Sequence, residues 1–101
     1  MASIEPLSPP LKLGRIVKDS RVEEFEQRRE LNTADFLVRH QQGDWGDITS
    51  GMREANAAAL RRGDFVFSAY SLTEDRTPQM RLWIFTEGDR GVTTLVIVDR
   101  Y

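Results

Sequence analysis

RLWIFTEGDRGVTTLVIV, residues 81–98, is the stretch whose reading decides the fold. Two runs dense in β-branched and aromatic side chains, RLWIFTE (81–87) and VTTLVIV (92–98), meet at Glu87-Gly88-Asp89-Arg90-Gly91. Such side chains suit a pleated surface, and a compact glycine-containing turn between them closes an antiparallel hairpin. A third run of the same texture, FVFSAYSL (65–72), precedes them across a longer connection, Thr73–Met80, expected to be mobile. Together they predict an antiparallel meander.

Both pleat faces of that meander are apolar. Phe65, Phe67, Leu82, Ile84, Val96 and Val98 alternate with Val66, Tyr70, Leu72, Trp83, Phe85, Leu95 and Ile97. One helical layer covers only one set. The second is either wrapped by the N-terminal segment and strand twist, or it docks a partner or a second copy of the chain, because uncovered apolar patches of more than a few hundred Å² are rare on monomers.

Upstream of the meander the periodicity changes. LKLGRIVKD (11–19) alternates, with Gly14 in the position of a bulge, and reads as a strand. RVEEFEQRREL (21–31) is made of good helix formers, with Val22, Phe25 and Arg29 on one face. NTADFLVRHQQG (32–43) offers Thr33 as N-cap, Asp35 at the positive helix end and Gly43 as terminator, and it aligns Phe36, Leu37 and His40. A third helix, TSGMREANAAALRRG (49–63), is capped by Asp47, Thr49 or Ser50 and closed by Gly63, with Met52, Ala55, Ala59 and Leu60 as its buried stripe. Residues 1–10 carry three prolines and no period. The expected organisation is an extended lead over 1–10 and one domain over 11–101. Its class is α+β, two-layer, with an N-terminal strand and about three short helices packed on an antiparallel β-meander.

Composition narrows the function. At 101 residues the chain has material for one core. Hydrophobic residues are 40% and charged residues 30%, a globular balance rather than that of a disordered tail. The net charge is −2 and the signs alternate along the chain, so no basic stripe awaits a phosphate backbone and no direct nucleic-acid binding is expected. Arginine supplies 12 of the 14 basic residues, which favours forked contacts at a protein interface. With no cysteine there is neither a disulfide nor a thiolate site. The longest apolar run, Thr93–Val98, is far short of the roughly 20 residues of a membrane helix. MASIEPLSPP lacks the charged and apolar regions of a secretion signal, so a cytoplasmic location is expected.

HQQGDWGD (40–47) holds the only histidine and one of two tryptophans. On a continuing helix His40 and Asp44 would stack, and Glu87 and Asp89 would be the further groups of a metal-binding or hydrolytic site. Gly43 interrupts that spacing. The structural reading has His40 bonding a carbonyl or packing on Trp45, Asp44 bonding turn amides, and Trp45 anchoring the corner with its N–H on an acceptor. Asn56, between Met52 and Leu60, is expected to tie its helix to a neighbouring loop through a buried amide. Glu87, Asp89, Arg90, Thr93 and Thr94 form a polar cluster in and after the hairpin turn. Ser68, Ser71, Thr86, Thr93 and Thr94 are available hydroxyls, but no nucleophile elbow, phosphate loop or dinucleotide fingerprint surrounds them. The expectation is a non-enzymatic protein without cofactor or metal, whose partner-contacting residues are drawn from Tyr70, Arg76, Arg81, Trp83, Phe85, Glu87, Asp89 and Arg90. The alternative is a small metal-binding or hydrolytic domain using His40, Asp44, Glu87 and Asp89.

LGRIVKD (13–19), LVRHQQGDWGD (37–47), Asn56 followed by ALRRG (59–63), SAYSL (68–72), LWIFTEGDRGVTTLVIV (82–98) and Tyr101 together carry a resemblance. Over residues 11–101 the chain resembles a family of small proteins found mostly on bacterial plasmids and other mobile elements, marked by RH-x-x-GDWG and TE-x-DR-x-x-TT. It departs from that pattern at Met52, where the family has an aspartate, and at Gly91, where a serine is usual. The resemblance implies a setting in which small proteins inhibit host defence nucleases of the restriction or CRISPR type; the two-sided apolar sheet, the arginine-rich surface and the absence of catalytic sets add the expectation of a host protein complex as partner and surface occlusion as the mode. No membrane partner is expected, because the apolar runs are too short to span one. A homodimer through the second sheet face is the other association that the apolar pattern allows.

Overall fold

A computed structural model of the chain describes residues 10–72 and 80–99, so the lead over 1–9, the connection over 73–79 with Arg76, and residues 100–101 with Tyr101 lie outside the described residues. The elements run β1 (Arg15–Lys18), α1 (Ser20–Gln27), α2 (Thr33–Gln41), α3 (Ser50–Arg62), β2 (Val66–Ser71), β3 (Arg81–Thr86) and β4 (Val92–Val98). They form an α+β domain around one four-stranded sheet, in the order β1-β4-β3-β2.

The meander is as expected: β2 pairs antiparallel with β3, and β3 with β4. The sheet as a whole is not fully antiparallel, because β1 lies parallel to β4, with Arg15 opposite Val92 and Lys18 opposite Leu95. No tight turn joins β1 to β4, so hairpin geometry does not impose its direction. The direction comes instead from the helices that carry the chain back across the sheet. The strand is also shorter than the alternating pattern of residues 11–19. It begins after Gly14, whose positive φ of 67° lets the backbone pass against Gly91, and Arg15 N–H then bonds Gly91 O at 2.9 Å.

Local chemistry explains the helix ends. Asp19 opens α1 by accepting from Val22 N–H at 2.9 Å, and Thr49 opens α3 by accepting from Met52 N–H at 3.1 Å. Gly63, at φ 79°, closes α3 in the left-handed conformation. Two expectations are corrected. Asn32, rather than Thr33, caps α2 through Ala34 N–H, while Thr33 is buried and donates to the Glu26 carboxylate that also holds Lys18 at 3.0 Å. The first helix stops at Gln27 instead of running to 31, and Arg29 sits beyond it at φ 62°.

The main core joins Val22 of α1 to Tyr70, Leu82, Ile84, Leu95 and Ile97, with Phe25, Phe36 and Leu37 packed against it. A second cluster gathers Leu11, Trp45, Ala59 and Val66 at the β2 end. Because α3 runs along the β2 edge and not flat on the sheet, its buried residues are Asn56 and Ala59, and Ala55 is exposed. The register also re-sorts the two sheet faces. Ser68 opposes Ile84 and Ile84 opposes Leu95, so Leu82 and Ile84 share the covered face with Val66, Tyr70, Leu95 and Ile97. Phe67, Trp83, Phe85, Val96 and Val98 share the other, and neither core cluster includes any of them. No helix among the described residues is long and apolar enough to cross a membrane.

Candidate functional site

The GDWG corner runs beside the β2 edge. After α2, Gly43 turns the chain at φ 89°, and the Arg39 guanidinium forks the Asp44 carboxylate at 2.7 and 3.3 Å. This cation holds the Asp44 carboxyl below the usual carboxylate range. It also lies over the Tyr70 ring, 4.6 Å from its centre. Tyr70 donates its hydroxyl to Asp44 O at 2.7 Å, and burial pushes its pKa up to about 12.

The next residues act as a fragment of strand. Ala69 N–H bonds Trp45 O at 3.1 Å and Asp47 N–H bonds Ala69 O at 2.6 Å, with Gly46 bridged to Ala69 in parallel sense. Gly46 has φ 75°, and a β-carbon there would collide with Ala69 O and the Tyr70 ring. Two residues back along β2, the Asn56 side chain continues the seal: Phe67 N–H donates to Asn56 Oδ1 at 3.1 Å, and Asn56 Nδ2 donates to Phe67 O at 2.8 Å. Asn56 therefore ties α3 to a strand edge and not to a loop. The corner and this amide satisfy backbone groups of an edge that would otherwise invite another chain.

His40 is fully buried beneath the sheet, and both ring nitrogens are engaged: Nδ1 with Ser68 Oγ at 2.5 Å and Nε2 with Thr86 Oγ1 at 2.9 Å. Thr86 Oγ1 lies 2.7 Å from Thr93 Oγ1, which donates to Leu13 O at 2.7 Å. A carbonyl only accepts, so the proton order follows. Thr93 gives its one hydrogen to Leu13, Thr86 gives its own to Thr93, and His40 must donate through Nε2–H. Nδ1 is then the acceptor for Ser68. Burial, with the nearby Arg90 cation second, lowers the His40 pKa to about 4.

Arg90 connects the hairpin to the end of α3. Its guanidinium donates to Asp64 O at 2.6 Å, Ala59 O at 3.1 Å and Glu87 O at 3.2 Å, placing a cation on the negative helix terminus. Asp89 accepts from Gly91 N–H at 2.8 Å, and Glu87 is exposed. His40, Asp44, Glu87 and Asp89 are not brought together: among the described residues no three His, Cys, Asp or Glu side chains are grouped to hold a metal ion.

Other expected positions need correction. Tyr70, placed among partner-contacting residues, is 2% exposed, because its pleat position faces the helices. Trp45 anchors the second cluster, but its indole N–H has no acceptor among the described residues. Ser68, Thr86 and Thr93 were legible only as available hydroxyls, and their shared role with His40 was missed. Polar residues on the buried parity of an apolar strand were the signal.

The remaining surface is the second face of the sheet. Phe67, Trp83, Phe85, Val96 and Val98 are partly exposed there, with the Phe67 and Trp83 rings edge to face at 5.4 Å. Arg81 stands at its rim, 3.6 Å from Asp47. Comparison with models of known protein families, with curated proteins and with solved structures returned no match to this chain.

Proposed function

We propose that this chain is a non-enzymatic protein-binding module whose working surface is the second face of its sheet, which is partly exposed among the described residues. The observation that carries this reading is the apolar row of Phe67, Trp83, Phe85, Val96 and Val98 on a face to which neither core cluster extends. The polar residues of the RH-x-x-GDWG and TE-x-DR-x-x-TT segments support it from the other side. His40, Thr86 and Thr93 bond one another inside the fold, and Arg39, Asp44 and Arg90 are held at its surface by each other or by the backbone, so each of these groups already has a structural partner. Arg81 and exposed Glu87 supply the polar rim that such interfaces carry.

The resemblance to mobile-element proteins supplies the partner in this reading, a host protein complex of the restriction or CRISPR nuclease type, blocked by occlusion in the cytoplasm. Nucleic acid, membrane and cofactor have no part in it. The test is plasmid and phage interference in cells carrying such a system, paired with capture of the complex on immobilised protein. Protection that disappears on Trp83→Ser supports the reading. No protection and no captured nuclease component overturn it. A homodimer formed through this same face, seen by light scattering, would assign the face to self-association instead.

A further inference from the structure

Phe65 is 56% exposed, a position where a large aromatic ring gains little from its own fold. It stands between Gly63–Asp64 and the start of β2, on the wall of a groove of about 430 Å³ that α3 lines with Met52, Ala55 and Ala58. Small side chains on that helix leave room for an incoming ring. Arg62 and Asp64 flank Phe65, both exposed, and neither side chain forms an ion pair among the described residues. One patch thus carries a knob, a hole, and one charge of each sign. A surface with those properties is complementary to itself about a twofold axis, where each charge meets its opposite.

We propose that this patch is a self-association surface: two copies pair isologously, each Phe65 entering the α3 groove of the other, with Arg62 of one copy facing Asp64 of the second. One ring and one facing ion pair from each copy is a smaller set of contacts than the roughly 20–30 residues a side of a standard stable interface, so the dimer is weak and forms with rising concentration. Phe67 lines this groove and also begins the apolar row of the sheet face, so the two surfaces adjoin there, but Trp83, Phe85 and Val96 lie outside the groove and stay free in the dimer.

Sedimentation velocity across a concentration series tests it. The wild-type chain shifts from monomer to dimer, and Phe65→Ser, Arg62→Glu and Asp64→Arg each weaken association at least tenfold while keeping a cooperative thermal unfolding transition. Mixing Arg62→Glu with Asp64→Arg restores a dimer, because every facing pair is then opposite in sign. Trp83→Ser leaves the dimer intact. A chain that stays monomeric at several hundred micromolar, a dimer indifferent to all three variants, a mixture that fails to associate, or a dimer lost on Trp83→Ser but kept in Phe65→Ser would overturn the proposal.

Discussion

His40 and Thr86, separated by 46 positions in the chain, meet at 2.9 Å in the buried layer between α2 and the sheet. Thr86 passes its proton to Thr93 and Thr93 to a carbonyl, so this one contact makes the imidazole a neutral Nε2–H donor. A second ring proton would point Nδ1–H at Ser68 Oγ, 2.5 Å away, so Ser68 would have to accept there and turn its own hydrogen to another acceptor, while a cation would stand buried in the core.

Acid should therefore destabilise the fold in a definite window. An unfolded His40 takes up its proton near pH 6.5, while the folded one resists until about pH 4. Between these values the unfolded state binds more protons, so stability is full above pH 6.5 and falls as the pH drops toward 4. The loss is roughly 3 kcal/mol over the window by that linkage. Urea midpoints measured from pH 7.5 to 4.5 check the slope. NMR titration checks its source, and a His40 that titrates near 6.5 would contradict it.

Arg90 should act on two observables at once. Arg90→Met removes the donor from Ala59 O and Asp64 O and should cost about 1–2 kcal/mol in denaturant unfolding. It also removes a cation that disfavours the protonated imidazole, so the His40 pKa should rise. A variant that loses stability without moving His40 would separate the two roles.

Asn56→Leu preserves volume but strands the N–H and C=O of Phe67 at the β2 edge. The expected cost is about 2–3 kcal/mol, read as a lower urea midpoint at unchanged slope. Asn56→Asp should be no milder at neutral pH, since its carboxylate would then face the Phe67 carbonyl.

Two glycines should respond in opposite directions. Gly46→Ala forces a side chain into Ala69 O and the Tyr70 ring at positive φ, and should destabilise by more than about 2 kcal/mol. Gly51 lies in α3, and a β-carbon there would meet only Thr49 Oγ1 at 3.9 Å. Gly51→Ala should stabilise by about 0.5–1 kcal/mol. Paired thermal melts decide both.

On the sheet, neighbours in sequence should differ in kind. Trp83→Ser and Phe85→Ser, on the partly exposed second face, should keep a cooperative unfolding transition while reducing partner capture. Ile84→Ser, fully buried between them, should cost about 3 kcal/mol or more. Loss of folding in all three would mean that the second face is part of the core.

Much of the architecture was legible in local pattern. The runs at 65–72, 81–87 and 92–98 became β2, β3 and β4, and Gly43, Thr49 and Gly63 turned or capped the chain where turn chemistry required. These features depend on residues within a few positions of one another, so the chain itself carries the information. The candidate site was legible only in part. That HQQGDWGD is a corner followed from Gly43; that it also pairs with Ala69 as a strand fragment did not, because backbone hydrogen bonds leave little trace in side-chain identity.

By itself the sequence determined the α+β class, the elements and their turns, and a meander apolar on both faces. Only the tertiary structure decided that β1 runs parallel to β4, that Leu82 and Ile84 face the helices while Trp83 and Phe85 do not, and that the partners of His40 are Ser68 and Thr86. The reason is range. Periods of 2 and 3.6 residues are set by the local backbone, whereas strand direction, register and buried hydrogen-bond partners are set by how distant segments close on a common core.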